Sequence, residues 1–274
     1  MKSIALGLPH CPWIPARAES YRRLWEQIAP GGEKLRSDAI DWRQFSDRES
    51  NKVWPRKMWK WGLESGADYF LTLQDDTVVA PNIWPALRAM LSSLPKRIVL
   101  GLSAVHPSGP EIRRQGHRFY ATRSHLVGWA YLLDRETLGE FIAWQDVYPE
   151  RVKAENEDQL LNSFVVDTGR VTIHPVPTLV DHDVSVESTY GNDDHTHRRA
   201  TVTWHGFDSL QLESTLFWAN NGNPPLLELP PPGICSWCST RAAQISNGRG
   251  SRMCRLCVAE LALGAMGVGI GGDR

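Results

Sequence analysis

Short apolar runs that alternate with segments of helical period constrain this chain more than any other feature of its sequence. One run covers residues 3–8 and another covers residues 69–73. Between them, the apolar residues of 17–28 recur with the i, i+3, i+4, i+7 spacing of one helix face. Strands that are apolar throughout are buried on both faces, and their alternation with helices favours a mostly parallel sheet between helical layers. We therefore predict an α/β fold.

The same alternation continues to about residue 180. The periodicity predicts helices over 51–64, 83–94 and 157–166, a helix capped by Asp134, and strands over 97–103, 126–133, 171–173 and 178–180. Residues 104–125 are rich in Gly, Pro, His and Arg and have no period, so we predict a loop there.

Composition bounds the class of protein. The 274 residues suffice for one full α/β core and a small appendage, and 42% hydrophobic and 22% charged residues are typical of a globular chain. The first apolar run ends at Pro9, too early for a signal peptide or a membrane span. We therefore expect a cytoplasmic protein, in the host cytoplasm if it is viral, with no membrane partner. A net charge of -1 gives no global attraction to nucleic acid but leaves room for local basic surfaces.

A proline-rich stretch divides the chain. Residues 223–233 contain five prolines, a composition typical of a semi-rigid linker. We predict an α/β domain over residues 1–222, this linker, and a cysteine-containing module with a glycine-rich tail over residues 234–274.

Four cysteines of that module form two CxxC pairs separated by fifteen residues: Cys235, Cys238, Cys254 and Cys257. Two such pairs at this spacing predict a closed tetrahedral zinc site, which is structural because no ligand position stays open. The module resembles zinc ribbons and treble clefs. Residues 234–258 hold four arginines and no acid, so contact with phosphates and a role as a plain structural cap or protein-docking surface both stay open.

Two adjacent acids, Asp75 and Asp76, follow the apolar run 69–73 directly. Ligands of open α/β sheets bind beyond the carboxyl ends of the strands. Paired carboxylates there suit Mg²⁺ or Mn²⁺, which prefers oxygen ligands and bridges to phosphate oxygens. The alternative is that the two acids only start a turn.

This segment resembles the DxD region of GT-A glycosyltransferases, with Gln74 in place of the first acid. The resemblance covers about residues 1–200. It implies a Rossmann-like GT-A fold, a nucleoside-diphosphate sugar as donor, with a UDP-sugar favoured, and catalytic Mn²⁺ or Mg²⁺. In this family pattern Asp76 matches the acid that binds the metal, and Asp75 faces the donor sugar or ribose.

Three later segments follow in the order that the resemblance implies. Residues 127–133 resemble the strand under the sugars, where Gly128 and Trp129 contribute to the donor site. Residues 155–160 resemble the acidic motif at a helix start. It supplies the carboxylate that takes the acceptor's proton in an inverting transfer. We assign this role to Asp158, with Glu157 as its substitute, although the helix dipole alone also favours acids there.

The last of these segments, 177–188, resembles the part of several GT-A enzymes that gives a histidine to the same metal. It implies that His182 is a ligand of Mn²⁺ or Mg²⁺, whereas a lone histidine is otherwise an ordinary core or surface residue. In the predicted loop, four basic residues suit either phosphate contact or plain solvation: Arg113, Arg114, His117 and Arg118.

Together these features predict metal-dependent transfer of a sugar to an acceptor hydroxyl. One candidate acceptor is duplex DNA with a hydroxymethylated pyrimidine, as in viral DNA glucosylation, and the alternatives are a protein side chain or a glycan. Nucleotidyl transfer is a rival class, but residues 8–12 lack the glycine-rich phosphate loop that it requires. The non-enzyme alternative is a zinc-dependent adaptor for nucleic acid or protein, with an inert α/β domain.

Overall fold

The computed structural model describes residues 2–29, 40–46, 53–81, 83–103, 106, 108–123, 129–183, 185–186, 202–205, 207, 209–216, 224–227, 245–246 and 252–253. The helices are α1 (Pro15–Ile28), α2 (Trp54–Glu64), α3 (Ile83–Ser93), α4 (Gly109–Arg114), α5 (Arg135–Val147), α6 (Pro149–Ala154), α7 (Glu157–Asp167) and α8 (Ser209–Thr215). The strands are β1 (Ile4–His10), β2 (Ile40–Ser46), β3 (Tyr69–Leu73), β4 (Thr77–Val79), β5 (Val99–Gly101), β6 (Phe119–Thr122), β7 (Ala130–Asp134), β8 (Thr172–Pro175), β9 (Val180–His182), β10 (Leu226–Leu227), β11 (Ile245–Ser246) and β12 (Arg252–Met253).

One eight-stranded sheet, in the order β10-β6-β8-β5-β7-β3-β1-β2, organises the fold. Strands β1, β2, β3, β5 and β8 run in one direction, and β6, β7 and β10 run in the other. The sheet is therefore mixed, with most of its strands parallel, and the predicted α/β class is confirmed.

Both faces of the sheet are covered. Leu6 of β1 and Leu71 of β3 pack in one apolar cluster with α1 and α3, while Ala5 and Phe70 pack in a second cluster with α2, α5 and α7. Neighbouring strand residues point to opposite faces, so a strand covered on both sides is apolar at nearly every position, with Thr72 as the buried exception in β3. This explains why β1 and β3 are continuous apolar runs in the sequence.

The periodic helices lie where the sequence predicts them, and Asp134 caps α5 by accepting a hydrogen bond from Thr137 N at 2.9 Å. The predicted loop over 104–125 is wrong, because α4 and the buried strand β6 lie within it. Strand β6 has only four residues, and its partner strand β8 lies about fifty residues later in the chain. Such a strand leaves no local period to detect.

A small antiparallel ribbon of β4 and β9 lies beyond the end of β3. Thr77 pairs with His182 and Val79 pairs with Val180 in this ribbon. The strand predicted over 178–180 begins two residues later than expected, because it pairs with β4 instead of joining the large sheet. The ribbon brings residues about a hundred positions apart to one edge of the sheet.

The C-terminal part is described only in short pieces. Leu226 pairs with Ala121, so β10 extends the large sheet into the range predicted as the linker. Strands β11 and β12 pair with each other in the interval between Cys238 and Cys254. All four predicted zinc ligands lie outside the described residues. Among the helices that the structure describes, none is long and apolar enough to cross a membrane.

Candidate functional site

The acidic pair, Asp75 and Asp76, lies in the turn between β3 and β4, at the carboxyl edge of the sheet. Both residues are buried, at 1% and 5% exposure. Two hydrogen bonds fix the turn: Gln74 N donates to Trp129 O at 2.9 Å, and Thr77 Oγ1 donates to Gln74 O at 2.7 Å. The turn thus holds two carboxylates in a place with little access to water.

Asp75 is held by the segment that joins β1 to α1. Its Oδ2 accepts a hydrogen bond from Cys11 N at 2.7 Å and lies 3.3 Å from His10 Nδ1. Its Oδ1 lies 3.0 Å from Arg17 Nε. The His10 ring stacks on Tyr21, with ring centroids 4.0 Å apart. Both oxygens of Asp75 therefore have partners from within the chain.

Arg17 supplies the positive charge of this cluster. It is 5% exposed, near the start of α1, and its Nη1 also contacts Asp76 Oδ2. Burial alone raises the pKa of Asp76, but the hydrogen bond with His182 and the charge of Arg17 outweigh burial and hold this pKa at about 2. Asp76 is therefore ionised at neutral pH. Sequence reasoning did not find Arg17, because a single arginine in a polar helix start has no distinguishing pattern.

The structure brings together three residues that the sequence analysis singled out. His182 Nε2 lies 3.0 Å from Asp76 Oδ2, and the rings of His182 and Trp129 have centroids 5.2 Å apart. The backbone strengthens this arrangement, because Asp183 N donates to Asp76 O at 2.7 Å. Gly128 lies outside the described residues.

The chemistry of Asp76 and His182 suits a divalent ion. Asp76 Oδ1 is buried and has no hydrogen-bond partner within the described structure, and the imidazole beside it is a ligand that Mn²⁺ accepts. In the described ranges, no group of three or more His, Cys, Asp or Glu is arranged to hold a metal. The two residues therefore fit an ion that takes its remaining ligands from diphosphate oxygens and water, as Mg²⁺-class ions commonly do.

A second carboxylate environment lies beside the acidic pair, at the first turn of α7. Glu157 is 5% exposed, and its Oε1 accepts a hydrogen bond from the Tyr131 hydroxyl at 2.5 Å. Tyr131 in turn accepts a hydrogen bond from Trp59 Nε1 at 2.8 Å. Burial, with a further contribution from the charge of Asp158, raises the pKa of Glu157 to about 8. Asp158 itself is exposed, and its Oδ1 accepts a hydrogen bond from Gln159 N at 2.9 Å.

Gln74 connects the two environments. It precedes the acidic pair, and its Nε2 donates to Glu157 Oε2 at 3.3 Å. An acid at position 74 would place another negative charge against Glu157, whereas an amide can donate a hydrogen bond to it. This contact gives a physical reason for the glutamine that stands where the GT-A pattern has an acid.

No protein-family model matches the chain, and no curated protein matches it. Among solved structures, it is similar to a glycosyltransferase involved in glycosylation of the major capsid of PBCV-1. The identity is 14%, the match covers 78% of this chain and 98% of the other, and the TM-score is 0.38.

It is also similar to a Drosophila β-1,4-galactosyltransferase 7 mutant in complex with manganese, UDP-Gal and xylobiose, at 12% identity, coverage of 78% and 79%, and a TM-score of 0.39. A third is the galactosyltransferase LgtC in complex with donor and acceptor sugar analogues, at 11% identity, coverage of 81% and 97%, and a TM-score of 0.36. All three TM-scores are below 0.5, so these similarities carry no conclusion about function.

Arg17→Gln is expected to destabilise the protein by about 3–5 kcal/mol, because two adjacent buried carboxylates lose their compensating cation. Urea denaturation at neutral pH measures this change. Arg22→Gln is the matched control on the same helix. Its ion pairs with Glu19 and Glu26 are exposed and screened by solvent, so they contribute little to stability. Equal stability losses in the two variants would contradict the role given to Arg17.

Glu157→Gln is expected to change how stability depends on pH. In the unfolded chain Glu157 loses its proton near pH 4.5, whereas in the folded chain it keeps the proton to about pH 8. The wild type therefore loses stability as pH rises through this window, by at most about 1.4 kcal/mol per pH unit. Glutamine does not titrate and still accepts from Tyr131, so the variant gains stability relative to wild type between about pH 5 and pH 8. Urea denaturation at both pH values measures the difference. A constant difference would rule out a raised pKa.

Proposed function

We propose that this protein is a glycosyltransferase that moves a sugar from a nucleoside-diphosphate sugar, with a UDP-sugar favoured, to an acceptor hydroxyl. The main support is the contact between Asp76 and His182, which are 106 positions apart and meet at the carboxyl edge of the sheet. Ligands of α/β sheets bind at this edge. A carboxylate that stays ionised and a neighbouring imidazole are the groups needed to hold the metal of a diphosphate leaving group.

On the donor side, Asp76 Oδ1 and His182 would hold Mn²⁺ or Mg²⁺. When bound, the ion would act as a Lewis acid for the charge that develops on the departing diphosphate. The hydrogen bond with His182 and the charge of Arg17 keep Asp76 ionised, and Arg17 adds a fixed positive charge at the same place. The partners of Asp75 favour a role in orienting Arg17 over direct contact with the donor sugar or ribose.

On the acceptor side, the geometry favours Glu157 over Asp158 as the general base. Glu157 is buried and is linked through Gln74 to the acidic pair, whereas Asp158 is exposed. A pKa of about 8 makes the ionised form of Glu157 a strong base. Because most of the side chain holds its proton at neutral pH, transfer is expected to rise with pH up to about 8. In the proposed inverting step the acceptor oxygen bonds to the anomeric carbon, the bond to the diphosphate breaks, and the hydroxyl proton passes to the ionised Glu157.

For the acceptor we propose DNA that bears a hydroxymethylated pyrimidine. Enzymes that modify a base in duplex DNA extrude it into their site and hold the backbone with basic residues. The predicted C-terminal module carries such residues in its sequence: Arg241, Arg249, Arg252 and Arg255. We further propose that the four cysteines of this module bind one structural zinc ion.

Asp76→Asn is expected to reduce metal-dependent sugar transfer by about 10²–10³-fold or more. The variant lacks the carboxylate charge that would hold the divalent ion against the departing diphosphate. Release of nucleoside diphosphate is measured with UDP- and GDP-sugars and Mn²⁺, with modified and unmodified duplex DNA. Asp146→Asn, an exposed acid on α5, serves as the control and should retain activity. If no donor gives any release of nucleoside diphosphate while the protein still binds the duplex DNA, the protein is an adaptor and the enzyme proposal fails.

Glu157→Gln is expected to lower the rate of transfer by about 10²–10⁴-fold, the usual contribution of a positioned general base. Asp158→Asn, at the next position of the same helix turn, is expected to stay within a few-fold of wild type because its carboxylate is exposed. Single-turnover rates of both variants measure the difference. If Asp158→Asn lowered the transfer rate more than Glu157→Gln, Asp158 would be the general base.

A further inference from the structure

A basic cleft of about 570 Å³ lies between α4 with the start of β6 and the segment 202–205. It is lined by Pro110, Arg113, Arg114, Arg118, Val202, Thr203 and His205. The two walls are joined below by an apolar cluster that includes Ile112 of α4 and Val202. Thr178 N also donates to Val202 O at 2.9 Å, which ties the second wall to the segment before β9. These contacts fix the two walls of the cleft relative to each other.

Two of its arginines have no acidic counterpart among the residues that the structure describes. Arg114 pairs with Glu111, with Nε at 2.9 Å from Oε2. Arg113 lies over the Phe207 ring, with its guanidinium carbon 4.8 Å from the ring centroid. Arg118 Nη1 reaches only the carbonyl oxygens of Arg113 and His117, each at 3.4 Å. No carboxylate pairs with Arg113 or Arg118 in the described part of the chain.

Burial makes this missing negative charge significant. Arg113 and Arg118 are both half-buried, so each guanidinium has lost part of its hydration without gaining an ion pair from any described residue. A bound anion would offset that cost. The planar fork of arginine matches the oxygens of a phosphate group, and the Phe207 ring restricts the orientation of one fork. Phosphate is therefore the ligand chemistry that this cleft fits best.

The position of the cleft separates it from the donor diphosphate. Strand β6 runs against β8, so its first residue lies at the same sheet edge as the acidic pair. From β3 the sheet order passes β7, β5 and β8 before β6, which is four steps of ~4.8 Å, or about 19 Å. A phosphate at this distance belongs to an extended ligand that reaches along the edge. In duplex DNA it corresponds to about five or six base pairs at 3.4 Å each.

We propose that the basic cleft binds a backbone phosphate of a nucleic-acid acceptor, about five or six base pairs from the nucleotide that receives the sugar. This inference rests on the proposed function in taking the acceptor to be DNA. The phosphate contact fixes the register of the acceptor on the protein and carries no base specificity.

Fluorescence anisotropy with a labelled duplex of about 16 base pairs tests the proposal over about 50–200 mM salt. The double variant Arg113→Gln/Arg118→Gln is expected to weaken binding about tenfold or more and, because one phosphate contact is lost, to reduce the slope of log K against log salt by about 1. Arg113→Lys/Arg118→Lys keeps the charge and should keep most of that slope. Arg22→Gln/Arg56→Gln removes two ion-paired arginines outside the cleft and should have little effect.

Length provides a second readout. A hairpin with a stem of about four base pairs cannot contact the cleft while its modified nucleotide lies at the acidic pair, so wild type and the double glutamine variant should glycosylate it at equal rates. Equal affinity and equal salt slope on the long duplex would overturn the proposal. An effect on a phosphorylated oligosaccharide but none on the duplex would overturn the nucleic-acid assignment.

The two proposals can fail separately. If the double variant loses duplex binding while no sugar nucleotide is consumed by any form of the protein, the cleft stands and the transferase assignment fails. If wild type and double variant both glycosylate the long duplex at the same rate, the transferase stands and the cleft assignment fails. Matching thermal unfolding curves of the variants exclude misfolding as the cause of lost binding.

Discussion

The structure of the carboxyl edge of this sheet depends on how the charges of two buried carboxylates are compensated. Asp75 and Asp76 lie side by side with almost no access to water, which is sustainable only with a cation in contact with both. Arg17 provides that cation from α1, and His182 adds a partner from β9. The same contacts therefore tie α1, β3 and β9 together, so the stability of the fold and the chemistry of the site depend on one cluster.

Two carboxylates a short distance apart experience opposite environments. Asp76 stays ionised because a cation and an imidazole face it, and Glu157 holds its proton more tightly because it is buried against Tyr131 without a cation. Pairs of acids whose environments push their pKa values apart are a common basis for dividing catalytic roles. Gln74 moderates the difference, because its hydrogen bond lowers the pKa of Glu157 without adding a charge.

The sheet edge also explains why the functional features are not confined to one segment of sequence. Strands β3, β5 and β8 end at this edge, and β6 begins there. The acidic pair, Glu157 and the basic cleft consequently lie at this one edge, although α4 and β6 fall in a stretch without periodicity.

The sequence by itself determined the α/β class, the strong helices and the position of Asp75 and Asp76 at a strand end. Apolar periodicity is a local property, and a strand buried on both faces must be apolar throughout. Only the tertiary structure decided which of two neighbouring acids on α7 faces inward. Residues 157 and 158 differ by about 100° around the helix, and the packing of α7 sets that rotation. For the same reason, the sequence did not predict the role of Arg17 or the strand β6. Their partners lie far away in the chain, so no local sequence pattern indicates these contacts.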